Sequence, residues 1–393
     1  MIRADIPGLQ EFKALATARG GVFVSLYLPT SPLHPEANRI AFKDLAKDAI
    51  AQLREAAVSE RVIESFERQF GVLSGRIQDS LDDNKYRLND ADPLAPVEEF
   101  WKSQAHGLGV LVRSETKSMQ TYRLPIRPAP LAKVADRFHL APLIRTITSP
   151  LEIFVLAISA GGARLLHVVV NMPPERVPVP HLSDDPAETL DRPSIHVGAP
   201  RRRLQNREGE KILEAQYART VDRAVREALA GRSTPIVLAA AEPMLSIFRA
   251  VNTYPHLIAE AIEGSPVHRS DAQLGDAALP ILDRLYRNEV KGVLALYDEL
   301  KPYRATSDVS RTAHAATAAA VDRLVVDLDR VIPGLVSDID GSVTYAVSDD
   351  AETYSVLDEV ARRALCTDAR VLCASRAELP AGCALAAILR YPF

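Results

Sequence analysis

Val22 to Leu28, VFVSLYL, is a nearly unbroken apolar run stopped by Pro29 and Pro32, which predicts a buried strand. Behind it Leu45, Ala49 and Leu53 recur every four residues, and Ile63, Phe66, Phe70, Leu73 and Ile77 follow a 3-4-3-4 spacing. Each set is the apolar stripe of a helix that must pack on something. GLGVLVRS (107–114) predicts a second strand, with TYRLPI (121–126) beside it. Phe138 to Ile147 mixes His139, Pro142 and Arg145 and reads as a connecting segment.

The middle of the chain has a different rhythm. LEIFVLAIS (151–159) and RLLHVVV (164–170) flank AGGA, whose glycines suit a hairpin turn. A phosphate-cradling loop would lead into a helix, and here another strand follows. MPPERVPVP (172–180) predicts a short third strand, at an edge because of its prolines. Residues 181–210 lack apolar periodicity and read as a long surface loop. Ile212, Ala215, Ala218, Val221, Val225 and Leu229 then mark a helix ending near Gly231. PIVLAAA (235–241) predicts a buried strand, with a helix through EPMLSIFRAVNTY. Three strands, a helix, a strand and a helix suggest a mixed sheet like a ribonuclease H-type core.

Further on, 265–290 reads as a turn region and a short helix, and GVLALYDEL as the start of a separate helical segment. RTAHAATAAAVDRLVVDL (311–328) carries Ala316, Ala320 and Leu324 on one face, with a strand beginning near Arg323 as the other reading of its end. VTYAVS (343–348) is extended. TYSVLDEVARRAL (353–365) predicts a helix with Val356, Leu357, Val360 and Leu365 inward and Asp358 and Glu359 outward. RVLCAS (370–375) and ALAAILRY (384–391) read as a closing hairpin around ELPAG. The expected fold class is α/β with α+β elements, in three domains: 1–135, 136–264 and 265–393.

Composition narrows the function classes. The 393 residues are 47% hydrophobic and 25% charged, as in an ordinary globular protein, and the net charge is −4. Binding to nucleic acid would therefore need a local basic patch rather than bulk charge. The N-terminus has no secretory pattern and no run reaches membrane-spanning length, so the expectation is a cytoplasmic protein without membrane attachment.

Few residues suggest chemistry. Cys366, Cys373 and Cys383 are seven and ten residues apart, which fits no Cys-x-x-Cys pattern; buried, inert thiols are expected. Asp82, Asp83 and Asp90 read as a solvated loop rather than a carboxylate metal site, and Trp101 as core rather than a platform for a base. The histidines form no close pair, and nothing of the form G-x-S-x-G is present. A two-metal nuclease would need converging carboxylates; Glu152 and Glu242 stand at strand ends without an obvious partner. The loop at 181–210 has an acidic half and a basic knot, Arg201, Arg202 and Arg203 with Arg207. That knot reads either as a solvated charge run or as a grip on phosphates.

PIVLAAAEPMLSIFRAVNTYPHLI (235–258) and YSVLDEVARRALCTDARVLCASRAELPAGCALAAILRY (354–391) resemble the bacterial branch of the archaeo-eukaryotic release-factor superfamily, relatives of the eukaryotic release factor and of Pelota. The resemblance covers roughly 130–393 and implies a variable N-terminal α/β domain, a ribonuclease H-like middle domain and an L7Ae-like last domain. In true release factors a Gly-Gly-Gln tripeptide on a loop before the long helix of the middle domain promotes peptidyl-tRNA hydrolysis. The corresponding loop here, HVGAPRRRLQNREGEK, has Gly198, Arg201 to Arg203 and Gln205, but no Gly-Gly-Gln.

The resemblance thus implies a non-hydrolytic translation-associated protein of rescue or hibernation type. It would bind the ribosome or ribosomal RNA, and a translational GTPase, with Arg201, Arg202, Arg203 and Arg207 on phosphate. No catalytic residue, metal ligand or cofactor is assigned. The alternatives are a metal-dependent nuclease or hydrolase on the ribonuclease H-like domain, and an interaction scaffold unconnected with the ribosome.

Overall fold

The computed structural model describes residues 5–74, 97–115, 119–159, 162–179, 207–347 and 354–392, with the backbone alone at 207–211. It is a mixed α/β structure in two compact units, one formed by Met1–Ser149 with Arg287–Phe393, the other by Pro150–Tyr286.

In the first unit, β1 (Phe23–Pro29) is central to an antiparallel sheet with β2 (Gly107–Arg113), β3 (Met119–Leu124) and β4 (Leu131–Ala135), in the order β3-β2-β1-β4. Both faces of β1 are covered, which is why its sequence is an apolar run rather than an alternation. Val24, Leu26 and Leu28 meet Phe42 and Leu53 of α2 (Pro35–Glu55), Phe66 and Phe70 of α3 (Glu60–Ser74) and Trp101 of α4 (Val97–Lys102). Trp101 is core, as expected, and its indole N–H donates to the Leu73 carbonyl at 2.9 Å.

Phe23 and Tyr27 point the other way. They enter a core with α1 (Leu9–Thr17), α5 (Ala141–Thr148) and the C-terminal elements α9 (Val309–Thr317), β11 (Val321–Val326), α10 (Val356–Cys366), β15 (Arg370–Cys373) and β16 (Leu385–Leu389). The helix α5 replaces the connecting segment expected at 138–147. Pro142 lies in its first turn, where a missing N–H costs nothing, and Leu143 and Ile144 are buried. Asp308 caps α9 by accepting from the Arg311 N–H at 2.6 Å.

The closing hairpin is not one. In the sheet β10-β16-β11-β15, where β10 is Ala305–Thr306, β11 lies between the two final strands. It pairs parallel with β15 and antiparallel with β16. The strand reading of the end of 311–328 holds, and it is this strand that separates the other two. A smaller sheet joins β12 (Pro333–Val336), β13 (Val343–Tyr345) and β14 (Tyr354–Ser355), in the order β13-β12-β14.

In the second unit the sheet runs β7-β6-β5-β8-β9, with β5 (Glu152–Ser159), β6 (Gly162–Val169), β7 (Glu175–Val177), β8 (Ile236–Ala240) and β9 (Leu257–Glu263). The first three strands are antiparallel neighbours, and β5, β8 and β9 are parallel. This is the ribonuclease H-type arrangement that the order of elements suggested, with β7 at an edge. One face carries α6 (Arg207–Ala228) and α7 (Met244–Val251) through Tyr217, Val221, Val225 and Phe248. The opposite face takes Leu274, Ala278, Ile281 and Leu282 of α8 (Asp271–Leu300).

That helix corrects a third expectation. The turn, the short helix and the separate segment at GVLALYDEL are largely one 30-residue helix with Pro280 inside it. Burial of its apolar stripe outweighs the hydrogen bond lost at Pro280. Gly275 is needed here, since a Cβ would stand 2.5 Å from the Pro174 ring.

Candidate functional site

The basic knot lies between β7 and α6. Arg201, Arg202 and Arg203 fall outside the described residues, and Arg207 is placed as the first residue of α6 by its backbone alone. Asp82, Asp83, Asp90 and Ile77 also fall outside them. What the structure does describe is the scaffold that carries the knot. Asp222 is buried on α6, and its carboxylate accepts from the Thr253 N–H at 2.9 Å and the Thr253 hydroxyl at 2.6 Å, tying the helix to the segment after α7. The outer face of α6 exposes Arg219, Arg223 and Arg226.

The carboxylates expected of a nuclease do not converge. Glu152 opens β5, and its carboxylate is engaged by His167 Nε2 at 2.7 Å and the Thr234 hydroxyl at 2.7 Å. The His167 hydrogen bond holds its pKa below the ordinary range, against the opposing effect of burial and with help from Thr234. The His167 ring stacks on Phe154, with centroids 4.9 Å apart. Glu242 follows β8 and accepts from the Ser246 hydroxyl at 2.8 Å and the Ser246 N–H at 3.3 Å, at the start of α7.

Because β5 and β8 run parallel with Phe154 opposite Ile236, Glu152 is level with residue 234 and Glu242 lies eight residues further along. The strand between those two levels, β8, is by itself about 13 Å long at a rise of about 3.3 Å per residue, so the two glutamates stand at opposite ends of the sheet. Two metals sharing a phosphate sit about 4 Å apart. Among the described residues no group of three or more His, Cys, Asp or Glu is placed to hold a metal ion. Both glutamates, expected without obvious partners, prove to have them. The Glu152–His167 pair was open to sequence reasoning, since the hairpin register sets Glu152 opposite Val169 and His167 two residues away on the same face.

The first unit holds a second concentration of polar groups that the sequence reading missed. A cavity of about 630 Å³ is lined by Arg137, His139, Asp338, Tyr354, Glu359 and Arg362, with apolar walls from Phe138 and Ile144. Glu359 was expected to face outward on α10 and is only 4% exposed. Arg362 donates to it through Nε at 2.7 Å and Nη2 at 2.5 Å, and Arg363 through Nε at 2.7 Å. Burial alone would raise its pKa; the hydrogen bond and charge of Arg362, with the charge of Arg363, outweigh that and leave it below the ordinary range.

Arg137 stands 3.6 Å from the same carboxylate, pairs with Asp136 and lies over the Tyr354 ring. The Arg362 guanidinium also donates to the Ala16 carbonyl at 2.6 Å, which links α10 to α1. A signal was available: Glu359, Arg362 and Arg363 follow the i, i+3, i+4 spacing of a helical ion cluster.

The cysteines are free thiols, each partly buried rather than fully so. Burial raises the pKa of Cys366 and of Cys373, and the Cys373 thiol lies 3.0 Å from the Thr148 hydroxyl. No helix among the described residues is long and apolar enough to cross a membrane.

Among known proteins, no curated protein matches the chain. Solved structures that resemble it include the archaeal translation termination factor aRF1, at 13% identity over 98% of this chain and 99% of that one, with a TM-score of 0.23. They include archaeal Pelota in a model of its ribosome-bound state with ABCE1, at 12% identity over 99% and 95%, with a TM-score of 0.37. Dom34 of S. cerevisiae, described as a translation termination-like factor interacting with Hbs1, matches at 11% identity over 73% and 87%, with a TM-score of 0.34. The family model of bacterial archaeo-eukaryotic release factor family 11 matches residues 150–288. That stretch is the ribonuclease H-type unit, and it is the part of the chain that resembles bacterial archaeo-eukaryotic release factor family 11.

Proposed function

We propose that this protein is a non-hydrolytic member of the release-factor superfamily that engages the ribosome or ribosomal RNA in rescue or hibernation. The observation that carries the reading is a release-factor family match over 150–288 in a sequence that nowhere contains Gly-Gly-Gln. In this reading Arg201, Arg202, Arg203 and Arg207 take the place of the hydrolytic tripeptide and contact phosphate, where adjacent guanidiniums bond bidentately. A translational GTPase is the protein partner that the family resemblance favours. The separation of Glu152 from Glu242 argues against the metal-dependent nuclease.

The test is co-sedimentation with ribosomes from growing and from starved cells, for the wild type and for R201E/R202E/R203E. The wild type is expected in the ribosomal fractions, released by added salt, and the variant is expected to be lost from them. A wild type absent from those fractions in both extracts, or a variant that sediments unchanged, overturns the assignment.

A further inference from the structure

We infer that the outer face of α6 is a phosphate-binding ridge for an RNA backbone, formed by Arg219, Arg223 and Arg226. The inference extends the RNA-engaging reading above and rests on it, but uses none of the residues of the basic knot.

The face is built by the helix itself. Tyr217, Ala218, Val221, Ala224 and Val225 are buried against the sheet. At 3.6 residues per turn, Arg223 lies about 40° to one side of Arg219 and Arg226 about 20° to the other, so the three share a stripe roughly 60° wide. Along the axis they are about 6 Å and about 4.5 Å apart. All three are exposed.

What singles them out is that none of the three has a partner among the described residues. Elsewhere among the described arginines of the second unit, Arg164 and Arg176 pair with Asp271, and Arg284 with Glu260. Arg249 and Arg269 donate to backbone carbonyls, and Arg232 lies over the Phe154 ring. Asp222, the acid between them, is turned inward to Thr253, and Glu227, exposed four residues after Arg223, makes no ion pair with it. Like charges three and four residues apart on a helix oppose each other. An unpaired triplet on a rigid, packed helix is therefore a standing electrostatic cost that a polyanion would remove. Arginine rather than lysine suits phosphate, because its planar fork offers two parallel donors. A straight row of such forks fits a regular string of phosphates better than the scattered carboxylates of an acidic protein.

The test uses the full-length protein and a fluorescent 20-base-pair RNA duplex, with binding followed by anisotropy from 50 to 200 mM salt. Each phosphate contact contributes about 0.7–0.9 to the slope of log affinity against log salt. The variant R219Q/R223Q/R226Q is expected to lower that slope by about 2–3, so that over this range the wild type loses roughly 20- to 40-fold more affinity than the variant. R219K/R223K/R226K keeps the charges and is expected to keep the slope. It also serves as the reference for fold, compared by circular dichroism.

A wild-type slope retained in the glutamine variant overturns the ridge. If R201Q/R202Q/R203Q then loses RNA binding, the reading of the basic knot survives alone. Binding of polyglutamate as tightly as the duplex overturns the RNA assignment in favour of an acidic polypeptide. No binding by the wild type overturns both.

Discussion

Replacing Glu359 by glutamine keeps the shape of the side chain and removes one buried negative charge. Its carboxylate is 4% exposed, and the side chains of Arg362 and Arg363 that bond it are 10% and 8% exposed. Three hydrogen bonds of 2.5 to 2.7 Å reach it, and Arg137 stands beyond them at 3.6 Å. In the variant the guanidiniums stay tethered, Arg362 to the Ala16 carbonyl and Arg363 to the Val336 and Ser337 carbonyls, so they cannot swing out to water. The remaining acid on Arg363, Asp338, is 55% exposed and compensates weakly. Removing one partner of a buried ion pair costs about 3–5 kcal/mol. For a unit of this size that lowers Tm by roughly 6–20 °C, at about 2–4 °C per kcal/mol.

Urea unfolding followed through Trp101 isolates the effect, since the single tryptophan is buried in the same unit. The dependence on pH follows from the depressed pKa. The stabilisation due to the charge is complete above the unfolded glutamate value of about 4.3 and is lost as pH falls through the lower folded value. The gap between wild type and E359Q should be constant from pH 5 to 7 and begin to narrow below about pH 4. A loss under about 1 kcal/mol at pH 7, or a gap that persists unchanged into acid, would refute the reasoning.

Asp308→Ala removes the side chain that caps α9, and a loss of about 0.5–2 kcal/mol by chemical denaturation is expected, with Asp308→Asn retaining most of it. Brief iodoacetamide treatment at neutral pH, read by peptide mass spectrometry, is expected to label Cys383 ahead of Cys366 and Cys373, whose thiols burial holds protonated.

The long apolar runs and the helical stripes were legible in the sequence because each has a face whose period a tertiary core enforces. β1, β5, β6, β8, α3 and the apolar stripe of α6 all belong to that class. Strands of two to four residues, such as β10, β12 and β14, carry too few positions to show a period. α1 was missed for a related reason, since its nine residues bury only Phe12, Leu15 and Ala16. The closing hairpin shows a deeper limit. RVLCAS and ALAAILRY are correctly extended and nearly adjacent in sequence, yet β11 enters from some fifty residues upstream and separates them. Nothing local records a partner that distant. Glu359 failed for the opposite reason. α10 packs against the sheet on one side and meets α1 and α5 on others, so a helix read as amphipathic has a buried charge cluster where a solvated face was expected.

The same geometry says where function can reside in the second unit. From Ile153 to Ile158 every residue of β5 is apolar, and β8 is Ile-Val-Leu-Ala-Ala throughout. Between Ile153 and Ile158 and throughout β8 the two central strands offer no oxygen or nitrogen side chain to a metal or a reacting phosphate. Glu152 opens β5 and Glu242 follows β8, so the two stand at opposite ends of the sheet, and both are already engaged. Among the described residues the ribonuclease H-type topology carries no converging set of metal ligands, so the fold by itself does not imply a nuclease. Recognition must come from what the sheet supports. The proposed arginines at 201–203 fall outside the described residues, and the outer face of α6 presents three exposed arginines on a helix fixed by its buried stripe and by Asp222. In the proposed reading the hydrophobic centre serves as the rigid support on which exposed arginines meet a polyanion.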